Sequence, residues 1–355
     1  MKRTKMLAIF VCLLFIGTIF LASATTVVAP KPEKPPKPDP NPDPEPEPTG
    51  TIYYAYTDDG VGYDYTMNPD GSAKTKLGGY VGGAMSREKH GGHFWCLYFL
   101  IVDGTYPDTQ PHQEIFVRRD DGGSPVQLTD DITMATNYLC CPPTWGPGDE
   151  FISWSAYRWG TDSSGDYVYD AGIYKATVNY DGNQDITSIG TITLVYDSGY
   201  WGDGAEYYPV ARSSLDWSPD GEKIVYGTND GTYLYDTVSK TSSFITVGGN
   251  ARWSPDGSMI EYIKSHDLWI IKSDGTDASI VVDVTSTGAW HVRVVYAYWS
   301  PDGEFLTYLL YKTSVAKPIL EINSYIYVVQ KDGTDNVDIT KGLTNHQWKI
   351  VRAWH

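Results

Sequence analysis

The second half of the chain consists of short apolar runs of period about two, cut at regular places by turns. Glu222-Lys223-Ile224-Val225-Tyr226 and Ser258-Met259-Ile260-Glu261-Tyr262-Ile263 are β-branched and aromatic, the pattern of half-buried strands. Asp267-Leu268-Trp269-Ile270-Ile271 reads as a further strand. Two kinds of turn divide these runs. Trp-Ser-Pro-Asp-Gly stands at Trp217–Gly221, Trp253–Gly257 and Trp299–Gly303, and a second turn stands at Ser273-Asp274-Gly275-Thr276 and Lys331-Asp332-Gly333-Thr334. In Ser-Pro-Asp-Gly the proline pre-sets φ, Asp suits the third position and Gly accepts the left-handed conformation that closes the turn. The preceding Trp is large enough to fill the space between two packed sheets. A motif recurring every 36 to 46 residues marks a repeat architecture. Each unit is about four short antiparallel strands, and no unit can bury both of its faces alone.

Weaker copies precede these. Thr144-Trp145-Gly146-Pro147-Gly148-Asp149 is an altered turn followed by the strand Glu150–Trp154. Ala84-Met85-Ser86-Arg87-Glu88-Lys89 holds the turn position with the signature lost, and Phe94–Val102 and Glu114–Arg118 follow it as strands. The first unit begins at Ile52-Tyr53-Tyr54-Ala55-Tyr56, the second-strand position, with its later turn at Asn68-Pro69-Asp70-Gly71-Ser72 and no first strand. The missing strand stands at the other end: Trp348–His355 matches the stretches that lead into the other turns, such as Asn250-Ala251-Arg252-Trp253. The expectation is an all-β, six-bladed β-propeller of four-stranded antiparallel blades over residues 51–355, its ring closed by the C-terminal strand in the first blade. Closure of this kind leaves only short, protected edges.

The unit of Trp-Ser-Pro-Asp-Gly, two strands, Asp-Gly-Thr and a last strand resembles the WD-like propeller repeats of the TolB-like group. The resemblance covers about Thr51 to His355 and is strongest in the last three blades. It implies a binding platform. TolB itself carries an α/β domain before its propeller, whereas a Pro-rich stretch precedes the blades here, so the resemblance is to the propeller alone.

Composition changes this picture little. The chain has 35 Gly, 12 Trp and 28 Tyr with 20% charged residues, consistent with turn-rich β structure. The N-terminus adds a location. Lys2, Arg3 and Lys5 precede an apolar stretch from Met6 to Leu21, and Ala22-Ser23-Ala24 has the small-x-small form of a signal peptidase site. Residues 1–24 therefore read as a secretory signal peptide, with an uncleaved signal anchor as the alternative. Residues 25–50 form a Pro-rich charged linker that favours extended polyproline geometry, about 3.1 Å per residue. The expected location is extracytoplasmic: secreted, cell surface or periplasm, with membrane contact only through an N-terminal anchor. The formal net charge of −17 repels phosphate backbones and argues against nucleic acid. The expected partner is a protein or a glycan, and the expected state a monomer.

Candidate chemistry is sparse. Beyond the leader stand Cys96, Cys140 and Cys141, enough for one bridge in an oxidising compartment; a bridge between neighbouring blades, a vicinal Cys140–Cys141 bridge and three buried thiols all remain open. There is no Gly-x-Ser-x-Gly elbow, no His-Glu-x-x-His and no phosphate loop. His90-Gly91-Gly92-His93 brings two imidazoles close in a Gly-rich turn. No cofactor is implied; the one metal candidate is calcium at Asp162, Asp166 and Asp170, which offer hard oxygen ligands without the full loop spacing. No catalytic residues are assigned. The segments entering the inner strands gather around the central funnel and carry Tyr208, Arg212, Trp290, His291, Arg293, His346 and Trp348, with Tyr80, Tyr138, Tyr207 and Arg352 among the same group. Aromatic faces beside basic donors suit sugars or an acidic peptide. Trp217, Trp253 and Trp299 with Gly221, Gly257 and Gly303 are expected to be structural. Two classes of function stand: an exported non-catalytic propeller that binds a protein or glycan, and a polysaccharide lyase or glycosidase acting in the funnel, the latter because related propellers include lyases.

Overall fold

A computed structural model describes residues 46–355 apart from 59–60, 80–82, 103–111, 130–137, 140, 162–166, 203–213, 285–289, 315–321 and 341–348. The leader and most of the Pro-rich linker lie outside the described residues.

The described chain is almost wholly strand, in six antiparallel sheets, five of four strands and one, the third blade, whose four positions are filled by six strands. The first blade holds β1 (Ile52–Asp58), β2 (Val61–Met67) and β3 (Thr75–Gly79); the second holds β4 (Ala84–Met85), β5 (Trp95–Val102), β6 (His112–Arg119) and β7 (Val126–Gln127). In the third, the inner strand is split into β8 (Tyr138–Leu139) and β9 (Thr144–Trp145), followed by β10 (Phe151–Thr161) and β11 (Tyr167–Tyr180). Its outer position is shared by β12 (Ile186–Ile189) and β13 (Thr193–Gly202), which pair with different stretches of the long β11. The fourth blade is β14 (Leu215–Trp217), β15 (Lys223–Gly227), β16 (Thr232–Asp236) and β17 (Thr241–Thr246). The fifth is β18 (Gly249–Trp253), β19 (Met259–Lys264), β20 (Asp267–Lys272) and β21 (Ser279–Val282). The sixth is β22 (Trp290–Trp299), β23 (Phe305–Ser314), β24 (Ile322–Gln330) and β25 (Val337–Asp338). The last strand, β26 (Lys349–Trp354), returns to the first blade and pairs with β1, Ile52 opposite Trp354 and Tyr56 opposite Lys349.

The ring is thus closed by both ends of the described chain. Thr51 and His355 exchange backbone hydrogen bonds, and the Trp354 indole donates to the Thr49 carbonyl at 2.7 Å. Successive blades pack face to face around the whole circle, the sixth against the first through β26. The core lies in these seams. Ile52, Tyr54 and Met67 of the first blade pack with Phe305, Leu309 and Ile326 of the sixth. Val294, Ala297 and Trp299 of the sixth pack with Leu268 and Ile270 of the fifth.

The repeat turn works as its chemistry dictates. The Ser218 hydroxyl donates to Asp220 at 2.5 Å and accepts the Lys223 N–H at 2.9 Å, while Asp220 accepts the Glu222 N–H at 3.0 Å. Ser254 with Asp256 and Ser300 with Asp302 repeat these contacts. Each turn glycine also meets the proline of the preceding blade. Gly257 has φ +72°, and a Cβ there would sit 3.3 Å from Pro219 Cδ; at Gly303 the neighbour is Pro255 and at Gly221 it is Pro147. Glycine is needed at all three for its conformation, and at Gly257 the approach of Pro219 is tight as well.

The two weak turns follow the same logic with the parts moved. In the second blade Ser86 keeps the serine's role: its Oγ accepts the Trp95 N–H at 2.8 Å across a longer loop. In the third blade Asp149 takes the glycine's position, with φ +55°. Its carboxylate reaches the second blade instead of its own turn and accepts the Arg87 and Glu88 N–H groups at 2.9 and 2.8 Å.

The repeat tryptophans Trp217, Trp253 and Trp299 are 1%, 7% and 7% exposed. Trp217→Ala is expected to cost about 3–5 kcal/mol in chemical unfolding, the usual price of emptying a buried Trp site; a loss below about 1 kcal/mol would contradict the seam role. Deleting residues 349–355 should expose the edge of β1 and yield an aggregating or less stable protein. A truncated chain that unfolds at the same denaturant concentration as the intact one would refute ring closure through β26.

Candidate functional site: the central channel

The six inner strands surround a cavity of about 1240 Å³. Side chains on a strand alternate between faces, so the residue before each repeat tryptophan points away from the tryptophan's seam. Thr144, Asp216, Arg252, Tyr298 and Ala353 hold this position, and all five line the channel. Among the described residues four arginines line it as well, Arg87, Arg118, Arg252 and Arg352, against a single carboxylate side chain, Asp216. The chain as a whole carries a formal charge of −17, so the described lining of the channel is opposite in sign to the molecule.

Asp216 is almost fully buried and held on both oxygens. Oδ1 lies 3.1 Å from Arg87 Nη2, and Oδ2 accepts the Trp253 N–H at 2.9 Å. It therefore ties three blades together: Arg87 from the second, itself from the fourth, Trp253 from the fifth. Asp149 supports this from behind by holding the backbone on which Arg87 sits. Arg252 stacks over the Tyr298 ring, its guanidinium carbon 4.3 Å from the ring centre, and its Nη2 lies 3.3 Å from the Tyr298 hydroxyl. Its Nε is 3.9 Å from Glu261, its register partner on β19. Glu261 is fully buried and neither oxygen has a hydrogen-bond partner among the described residues. Burial pushes its carboxyl well above the usual carboxylate range, against the pull of Arg252. His355 stacks on Phe94 with ring centres 4.6 Å apart. Burial, with Arg87 nearby, pushes its imidazole down to about 4, so it is neutral at physiological pH.

The funnel residues expected from sequence fall differently. His291 and Arg293 lie exposed on β22, Arg293 with its guanidinium carbon 5.7 Å from the centre of the Tyr311 ring; neither lines the cavity. Trp290 and Tyr138 are described only as backbone of β22 and β8. Tyr80, Tyr207, Tyr208, Arg212, His346 and Trp348 lie outside the described residues. Arg352, of the same group, does line the channel. Segment-entry reasoning did not name Arg252 and Tyr298, which were signalled by their place next to the repeat tryptophan.

The remaining candidates resolve as follows. The imidazoles of His90 and His93 turn to different carboxylates, His90 to Asp149 at 3.2 Å and His93 to Asp120 at 3.4 Å, while their backbones pair with each other. Asp162 and Asp166 lie outside the described residues, and Asp170 is described only as backbone paired with Arg158. Among the described residues no group of three or more His, Cys, Asp or Glu side chains is placed to hold a metal. Cys141 is a buried free thiol, its Sγ 3.1 Å from Ser155 Oγ. Cys96 is buried too, and burial pushes its thiol up to about 12. Cys140 lies outside the described residues.

No protein-family model and no curated protein matches the sequence. Among solved structures, the chain is similar to one described as a TolB from Agrobacterium tumefaciens, with a TM-score of 0.50 and 13% identity over 87% of this chain and 99% of that one. A structure of apo AztD from Citrobacter koseri aligns over 86% of this chain and 99% of its own at 8% identity, with a TM-score of 0.42. At such identities the likeness is one of fold. Six four-stranded blades, Ser-Pro-Asp-Gly turns and closure through the last strand make this chain, by fold, a TolB-like β-propeller.

Proposed function

We propose that this protein is an exported, non-catalytic binding propeller that engages a protein or glycan partner in its central channel. The observation that carries this reading is the described part of the channel wall, where several aromatic rings and four arginines, Arg252 and Arg352 of them on inner strands, stand against one carboxylate side chain. Aromatic and Arg side chains are the usual carriers of binding energy at interfaces. Among the described residues the same wall offers few groups for turnover. General acid–base work near neutral pH needs groups that titrate there. Asp216 is occupied by Arg87 and a backbone N–H, and His355 is held neutral by burial. Export is supported by Lys2, Arg3 and Lys5 before the apolar stretch from Met6 to Leu21 and by Ala22-Ser23-Ala24.

The test is a peptide and glycan array probed with the purified protein and, in parallel, with Tyr298→Ala and Arg252→Ala variants. The expected result is a small set of ligands whose signal falls by roughly tenfold or more in the variants, the loss typical of a central contact of about 1–2 kcal/mol. Ligands retained in full by both variants would move the binding face away from the channel. Chemical conversion of any bound ligand would replace this reading with an enzyme.

A further inference from the structure

We propose that Glu261 is a proton-binding site: in the seam between the fifth and sixth blades it stands as a neutral carboxylic acid, and the proton it holds sets the charge felt by Arg252 on the channel wall. The proton site does not depend on what the channel binds.

Alternation along β19 puts an acid where a core residue belongs. Ile260 and Tyr262 pack with Val225 of the fourth blade, so Glu261 between them faces the sixth. Its register partners are Arg252 on β18 and Ile270 on β20. Ile270 packs with Val294 and Ala297 of the sixth blade. Glu261 is 0% exposed in this seam.

A carboxylate there would lose its water and gain little in return. Neither oxygen has a hydrogen-bond partner among the described residues. The cation beside it, Arg252, has its Nε 3.9 Å away, beyond hydrogen-bond reach. A buried ion pair repays its desolvation only with good geometry and with hydrogen bonds to the remaining lone pairs. Asp216, on β14, acts on Glu261 as a like charge. The sixth blade turns Tyr296 and Tyr298 toward Arg252, and β20 contributes the apolar Ile270. Burial therefore outweighs the pull of Arg252 and favours the protonated form. A neutral acid is far cheaper to bury than its anion.

The site has a consequence for the channel, which Arg252 lines while stacked on Tyr298. With the proton bound, no charge on Glu261 opposes the guanidinium. When the proton leaves, a carboxylate stands behind it. Anything that binds against the Arg252 charge is thereby linked to this proton, and by reciprocity each favours the other.

The experiment compares Glu261→Gln, which keeps the shape without titrating, with the intact protein in chemical unfolding from pH 4 to pH 8. An unfolded Glu titrates near about 4.3. Above that pH the native state holds a proton that the unfolded state has lost, so the intact protein loses stability as pH rises, until the folded acid ionises. The variant escapes this loss. Its folding constant, relative to the intact protein, should grow by up to about tenfold per pH unit above pH 5. The infrared spectrum of the variant at neutral pH should lack one protonated-carboxyl stretch that the intact protein shows. A ratio that stays flat or falls with pH, or no loss of a carboxylic-acid band, would mean an ionised Glu261 and overturn the proposal. Should the variant fail to fold, carboxyl-carbon NMR of the intact, glutamate-labelled protein serves instead. At least one carboxyl should remain protonated at pH 7, and none doing so would overturn the proposal. These measurements use no ligand, so their failure leaves the binding reading of the channel standing.

Discussion

A four-stranded blade has two apolar faces and no partner within itself for either. In this chain each face is covered by the next blade, and the last face of the sixth blade is covered by a strand that arrives from the far end of the sequence. Everything else follows from that seam packing. The repeat tryptophan fills the seam, the turn serine and aspartate pin the turn against its own strand, and the turn glycine leaves room for the preceding blade's proline. The outer turns do the same one layer further out. A Cβ at Gly333 would lie 2.9 Å from the Val281 carbonyl of the blade before, and one at Gly71 would lie 2.6 Å from that of Ile339. Local turn chemistry and long-range packing therefore ask for the same residues, the mutual consistency expected of a foldable sequence.

The channel is the other side of this geometry. Both faces of an inner strand meet neighbouring blades, and its free edge bounds the channel, so residues of either parity reach it: Asp216, Arg252 and Tyr298, and Trp253 and Trp299 beside them. Polar groups there serve two purposes. Ser214 and Asp216 satisfy backbone N–H groups of the fifth blade, which sit at a seam and would otherwise be buried without partners. Asp216 and Asp149 also fix Arg87, one through its guanidinium and one through its backbone. Arg87, which faces the channel, is thus positioned by groups that hold neighbouring blades together.

The blades were legible in sequence wherever the turn was intact, because Ser-Pro-Asp-Gly encodes its own conformation. The second and third turns were harder to read for definite reasons. Ser86 keeps its hydrogen bond across an enlarged loop, which spacing alone conceals. Gly146-Pro147-Gly148-Asp149 moves the acid by one position and points it at another blade, a contact no local pattern encodes. Ring closure was readable from an absent first strand and a matching last one. The site was less legible. Sequence reasoning placed it in the segments that enter the inner strands, and of that group His291 and Arg293 do not line the cavity while Arg352 does. The place beside the repeat tryptophan was the available signal, and Asp216, Arg252 and Tyr298 share it. The burial of Glu261 without a hydrogen-bond partner among the described residues could not be read in advance, since alternation gives the face of a residue but not its contacts.

The central claim is that pairing of β26 with β1 holds the ring, and with it the channel, as one cooperative unit. Native-state amide hydrogen exchange tests it most directly. The amides that join the two strands, with that of His355 to the Thr51 carbonyl beside them, should be protected to the same free energy as those of β15 and β19 in the middle of the chain, because opening the closure strand opens the ring. Exchange there orders of magnitude faster, while the central blades keep full protection, would show a frayed end on a ring that stands without it and would contradict the account.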